Sequence, residues 1–154
     1  MLGNGASGKS RFSVELSEAT GIPRTELDTI FWSSGLVATP PEKWRQIQRE
    51  LASASRWILD GDLGPYDAFD VRLPRADTIV LFDLPTVVCA WRAVRRSRER
   101  LDFWRWLFMW RRRFRPKILD AIQAYAPAAE LLTVRSRADR NRVLWYLSRR
   151  DGAR

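Results

Sequence analysis

Eight consecutive residues near the start of the chain restrict its fold more than any other feature. Gly3-Asn4-Gly5-Ala6-Ser7-Gly8-Lys9-Ser10 fits G-x-x-x-x-G-K-[ST] at every defined position. Glycines let successive backbone N–H groups turn inward around an anion, and the helix that follows aims its positive end at the same point. In such a loop Lys9 reaches the outer phosphates of a nucleoside triphosphate, and the Ser10 hydroxyl ligates Mg²⁺. The loop normally leaves the C-terminal end of a buried strand of about 5–6 residues. Only Met1 and Leu2 precede Gly3. The first strand is therefore expected to be largely missing from this chain, with the reading frame continuing upstream for about 5–8 apolar residues.

The rest of the chain reads as alternating helices and strands. Arg11 to Thr20 has helical periodicity and Gly21 at its end. Pro23 to Phe31 reads as extended, and Pro40-Pro41-Glu42 opens a helix reaching about Ser53. Trp57-Ile58-Leu59 and Thr78–Phe82 are buried strands, closed by Asp60-Gly61 and Asp83-Leu84-Pro85. Two basic helices follow, over 86–100 and 103–125, the second broken by Pro116. A strand at Leu131–Val134 and a helix over 137–148 complete the chain. This alternation implies an α/β fold with a parallel sheet covered on both faces. A length of 154 residues implies one domain over 1–154.

Charge is concentrated in one segment. Residues 92–117 hold eleven Arg/Lys and two acids, a net of +9, which equals the net charge of the whole chain. Such a segment faces an anion, either a nucleotide's phosphates or a nucleic-acid backbone. The absence of His and the single Cys exclude a His/Cys zinc site. Cys89, among Val87, Val88, Ala90 and Trp91, reads as a buried structural thiol. No apolar run approaches the roughly 18 residues of a membrane span, and a cytoplasmic setting is expected.

Several segments taken together carry a family resemblance. They are the P-loop, Leu27-Asp28-x-x-Phe31-Trp32, Trp57-Ile58-Leu59-Asp60-Gly61, Arg72-Leu73-Pro74-Arg75-Ala76-Asp77-Thr78, Phe82-Asp83-Leu84-Pro85 and the Arg-rich helix pair. The chain resembles the adenylate-kinase-like P-loop NTPases known as DNA topology modulation proteins. The resemblance implies a three-layer nucleoside-monophosphate-kinase-like core with strand order 2-3-1-4-5. It also implies use of ATP and Mg²⁺, and a short basic lid-like segment at about 97–115. Lys9 and Ser10 match the phosphate and Mg²⁺ residues, and Asp60 matches the acid that holds the Mg²⁺ shell. Arg92 and Arg96 match two arginines that approach the nucleotide, and their spacing of four puts them on one helical face. One or more of Arg111, Arg112, Arg113 and Arg115, with Arg113 as the candidate, match the lid arginines. Asp28 would stand beside the acceptor, where a carboxylate orients a hydroxyl or takes its proton. Asp62 departs from the family's usual Asn after Asp-Gly.

The expectation is a P-loop kinase moving the γ-phosphoryl of ATP to a small, undetermined acceptor, of which a nucleotide is one option. Two rivals stand beside it: a nucleic-acid-binding regulator that uses ATP only as a ligand, supported by the basic aromatic segment, and an inactive fragment.

Overall fold

A computed structural model of the protein describes residues 1–33, 37–96 and 101–152. Its central strand is β6 (Thr78–Phe82), which is buried on both faces apart from its first residue. Ile79 and Leu81 point into one apolar cluster, and Val80 and Phe82 into another. That alternation is the period of two that a β-strand imposes. Strand β7 (Glu130–Val134) pairs with β6 in parallel along its whole length. On the other side the short β1 (Leu2–Gly3) pairs with Leu81 and Phe82.

A second parallel pair joins β2 (Arg24–Glu26) to β5 (Ile58–Asp60), in the register Glu26↔Asp60. Met1 links the two pairs. Its backbone nitrogen donates to Leu59 O at 2.8 Å, and its carbonyl accepts from Gly61 N–H at 3.3 Å. These bonds set β5 beside β1, although the two sheets share no continuous ladder; the resemblance implied one sheet in the order 2-3-1-4-5.

Helices cover both faces, as the alternating pattern implied. Helix α1 (Lys9–Thr20) buries Phe12 and Leu16 beneath the sheet. It ends at Gly21, a left-handed residue whose N–H bonds Ser17 O. Helix α8 (Arg137–Gly152) packs beside it, and Val143 joins the same cluster. The opposite face is covered by α7 (Arg115–Tyr125) through Ile118 and Ile122. Helix α3 (Pro41–Leu51), with Pro41 in its first turn, buries Trp44 against a third cluster holding Leu27, Phe31 and Leu59.

Two local readings need correction. Pro23 to Phe31 is not extended throughout: after β2 the chain forms α2 (Leu27–Phe31), whose two ends, four residues apart, are both buried. A small antiparallel hairpin, β3 (Trp32–Ser33) with β4 (Val37–Ala38), follows it. Pro116 does not break the long basic helix. Helix α6 (Leu101–Met109) passes through a π turn at Trp110–Phe114 straight into α7. Pro116 has no N–H to give residue 112 and its ring crowds that carbonyl, and the wider π turn accommodates both. The remaining elements are α4 (Phe69–Arg72), flanked by 3₁₀ turns at Gly64–Tyr66 and Leu73–Arg75, and α5 (Thr86–Arg96).

Candidate functional site

The P-loop runs from the end of β1 into α1. Three of its residues take positive φ: Gly3 at 137°, Ala6 at 53° and Gly8 at 95°. At Gly3 a Cβ would lie 2.4 Å from Phe82 O, so only glycine fits between the loop and β6. Lys9 curls back along the loop, and its Nζ donates to Gly3 O at 2.7 Å and Asn4 O at 3.0 Å. Ser10 is exposed in the first turn of α1. Asn4 is fully buried. Its Oδ1 accepts from Gly5 N–H at 2.8 Å, and its Nδ2 donates to Leu107 O at 3.2 Å. Helix α6 thus roofs the loop, and a Cβ on Gly5 would approach the Phe103 and Trp106 rings to 2.6 Å. No spacing rule connects them to a glycine about a hundred residues earlier.

On one side of the loop stand carboxylates. Asp60, at the end of β5, is 1% exposed. Its Oδ2 accepts from Arg24 Nη2 at 2.8 Å and from the Ser13 hydroxyl at 2.9 Å, whereas its Oδ1 has no hydrogen-bond partner. Burial works to raise the Asp60 pKa, but the Arg24 hydrogen bond and the Lys9 charge outweigh it and hold the group below the usual carboxylate range. Arg24 and Ser13 were not singled out in the sequence. Asp28 sits in the first turn of α2, close enough that a Cβ on Gly61 would meet its Oδ2 at 3.6 Å. Although exposed overall, Asp28 is partly desolvated on the side facing Gly61, and this desolvation pushes its pKa up against the pull of Lys9, with the charges of Asp60, Glu26 and Asp62 adding to the rise. Asp62, where the resemblance expected Asn, accepts from buried Trp110 Nε1 at 3.0 Å and from Gly64 N–H at 3.0 Å. It ties the π turn to the loop after β5.

On the other side stand arginines. Arg92 Nη1 donates to Ser7 O at 2.9 Å. A cleft of about 520 Å³ opens beside Gly8, walled by Trp91, Arg92, Arg95, Arg137 and Arg140 among others, and no acid lines it among the described residues. Arg95 stacks on the Trp91 ring at 4.6 Å, a cation–π contact. The side chain of Arg96 lies outside the described residues, as do positions 97–100 of the lid-like segment. Arg113 is exposed on the π turn, while its neighbours Arg111 and Arg115 turn toward Asp83. Cys89 is a buried free thiol, as expected. Among the described residues no cluster of three metal-ligating side chains occurs, and no helix is long and apolar enough to cross a membrane.

No protein-family model matches the chain, and no curated protein sequence matches it. Among solved structures it is similar to an unliganded sugar kinase from Janibacter sp. HTCC2649. The similarity covers 97% of this chain and 88% of that one, at 20% identity and a TM-score of 0.50. That likeness is one of fold: a mixed α/β architecture with a parallel sheet between helices, of the kind kinases use.

Proposed function

We propose that this chain is an ATP-dependent phosphotransferase acting on a small acceptor. The observation that carries the reading is the neighbourhood of the P-loop. The loop opens on one side to a cleft lined, among the described residues, by arginines and no acid, and on the other to Asp28 and Asp60. A nucleoside triphosphate laid along the first side brings its γ-phosphoryl to the second. The architecture shared with a sugar kinase supports the reaction class. The family resemblance to nucleoside-monophosphate kinases supports the same class.

In this reading the backbone N–H groups of Gly5 to Ser10 and the N-terminus of α1 hold the phosphates. Lys9 exchanges its bonds to Gly3 O and Asn4 O for phosphate oxygens, and Arg92, already on Ser7 O, lies beside them. The Ser10 hydroxyl and the free Asp60 Oδ1 are hard oxygen donors suited to Mg²⁺, which supplies charge neutralisation of the phosphates when bound. Asp28 accepts the proton of the acceptor hydroxyl as its oxygen bonds the γ-phosphorus. The bond from that phosphorus to the β–γ bridging oxygen breaks, and ADP leaves with the bond's electron pair. Catalysis of this kind is mostly positioning and electrostatics.

The test is a phosphoryl-transfer screen with MgATP against sugars, nucleosides and nucleoside monophosphates, run on wild type and Lys9→Ala. Saturable transfer to one acceptor class, lost in the variant with its melting temperature unchanged, is the expected result. Lys9 lies outside the apolar clusters, so its truncation opens no core cavity. Equal ATP binding by both proteins would remove the P-loop from the reading.

A further inference from the structure

The end of β6 holds an ion cluster that the proposed reaction leaves unexplained. Asp83 is 1% exposed, and three guanidiniums, from the π turn, from α7 and from the loop after β7, converge on it. Arg115 Nε lies 3.0 Å from Oδ1 and Arg111 Nη2 3.8 Å from the same oxygen, while Arg135 Nε lies 3.6 Å from Oδ2. None of these contacts has hydrogen-bond geometry, and among the described residues both Asp83 oxygens and Arg115 Nε are buried without a hydrogen-bond partner. One carboxylate against three arginines leaves an excess of two positive charges. Burying unbonded charge is unfavourable, so the arrangement is one the side chains leave readily when a better partner arrives.

The cluster also adjoins the phosphate cradle. Gly3 pairs with Phe82, so Asp83 stands level with the first turn of the P-loop. Asp83 N–H bonds Val134 O, which places Arg135 beside it, and both Val134 and Ser136 line the arginine cleft. The buried thiol of Cys89 feels the charges of Arg92, Lys9 and Arg111 together, so Arg111 belongs to the same electrostatic neighbourhood as the loop lysine.

We propose that Asp83 is an internal counter-ion that parks Arg111, Arg115 and Arg135 beside the loop until a polyphosphate displaces it as their partner. The carboxylate is a positioning residue and contacts no substrate. It keeps three cations gathered near the cradle and competes with the incoming anion for them. Guanidiniums bind phosphate oxygens through two parallel N–H groups, a geometry they do not achieve on Asp83. The inference rests on the phosphotransferase reading.

Binding of inorganic tripolyphosphate, which lacks base and ribose, tests it by calorimetry on wild type, Lys9→Ala, Asp83→Asn and Arg135→Gln. The expected result is Lys9-dependent binding that tightens about fivefold or more in Asp83→Asn and weakens in Arg135→Gln, a side chain 65% exposed and expendable for folding. Unchanged or weaker binding in a folded Asp83→Asn protein overturns the counter-ion role and leaves the P-loop reading intact. If Asp83→Asn does not fold, Arg135→Gln decides: equal affinity to wild type overturns the proposal. Binding that does not depend on Lys9 overturns both readings.

Discussion

Arg92 and Asp28 are the two side chains whose chemistry separates a kinase from its rivals. Arg92 bonds the carbonyl of a P-loop residue, which is more than a charge on a solvated helix would do. Arg92→Ala is expected to weaken ATP binding or lower kcat tenfold or more, about 1.4 kcal/mol. A change below about twofold would return it to the surface charges, whose individual contributions are small. Titration with duplex and single-stranded DNA at about 0.15 M salt distinguishes the nucleic-acid reading, because non-specific binding is already weak there. DNA affinity lost in Arg92→Ala with ATP turnover intact would favour that reading. Asp28 carries a pH signature. As a proton acceptor it works ionised, and partial desolvation raises its pKa above the ordinary value of about 3.9. Activity should therefore fall as pH drops through that raised value, at a higher pH than an ordinary carboxylate would give. Asp28→Asn should lower kcat about a hundredfold, leave ATP affinity unchanged and abolish that acid limb. An acid limb that survives in Asp28→Asn would assign the proton to another group.

At the scale of elements, the π turn at Trp110–Phe114 connects roof and core. Trp110 is fully buried, and its indole N–H reaches Asp62. Trp110→Phe removes a bond to a charged acceptor and leaves a void, together about 3 kcal/mol of stability. Asp62→Asn keeps one carbonyl acceptor for the indole but sets its amide NH2 against Gly64 N–H, so it should lose about 1 kcal/mol. Urea denaturation measures both, and equal losses would show that the indole bond is not what matters. The regular elements were legible in the sequence because each repeats a short pattern. Thr78–Phe82 and the helix ending at Gly21 stand where apolar spacing and glycine put them. Helix α2 was missed, although Leu27 and Phe31 lie one helical turn apart. Five residues between a strand and a hairpin leave too little periodicity to outweigh the extended flanks. The candidate site was legible where it is local, in the P-loop and in the strand-end Asp60. Arg24 on Asp60, Trp110 on Asp62 and Phe103 over Gly5 were not, because each joins residues whose meeting depends on strand register and helix packing.

Across the whole molecule, two parallel strand pairs meet at Met1, with the P-loop at their junction. The pair β2–β5 brings Glu26, Asp28, Asp60 and Asp62 to the loop, where Arg24 and Lys9 answer part of their charge. The pair β6–β7 and its helices bring the arginine-walled cleft. The two halves thus meet the loop with opposite charge.

The arginine wall of that cleft has a kinetic consequence. A low-dielectric cleft of one sign focuses field lines outward and draws a polyanion toward its mouth before contact. Ligand capture should therefore be governed by encounter. In stopped-flow measurements with tripolyphosphate, the association rate constant should fall at least tenfold between about 0.01 M and 0.3 M salt, as the screening length contracts from about 30 Å to under 10 Å. Dissociation, set by short-range bonds inside the cradle, should change far less. A salt effect confined to dissociation would mean that these arginines act only after the anion has arrived.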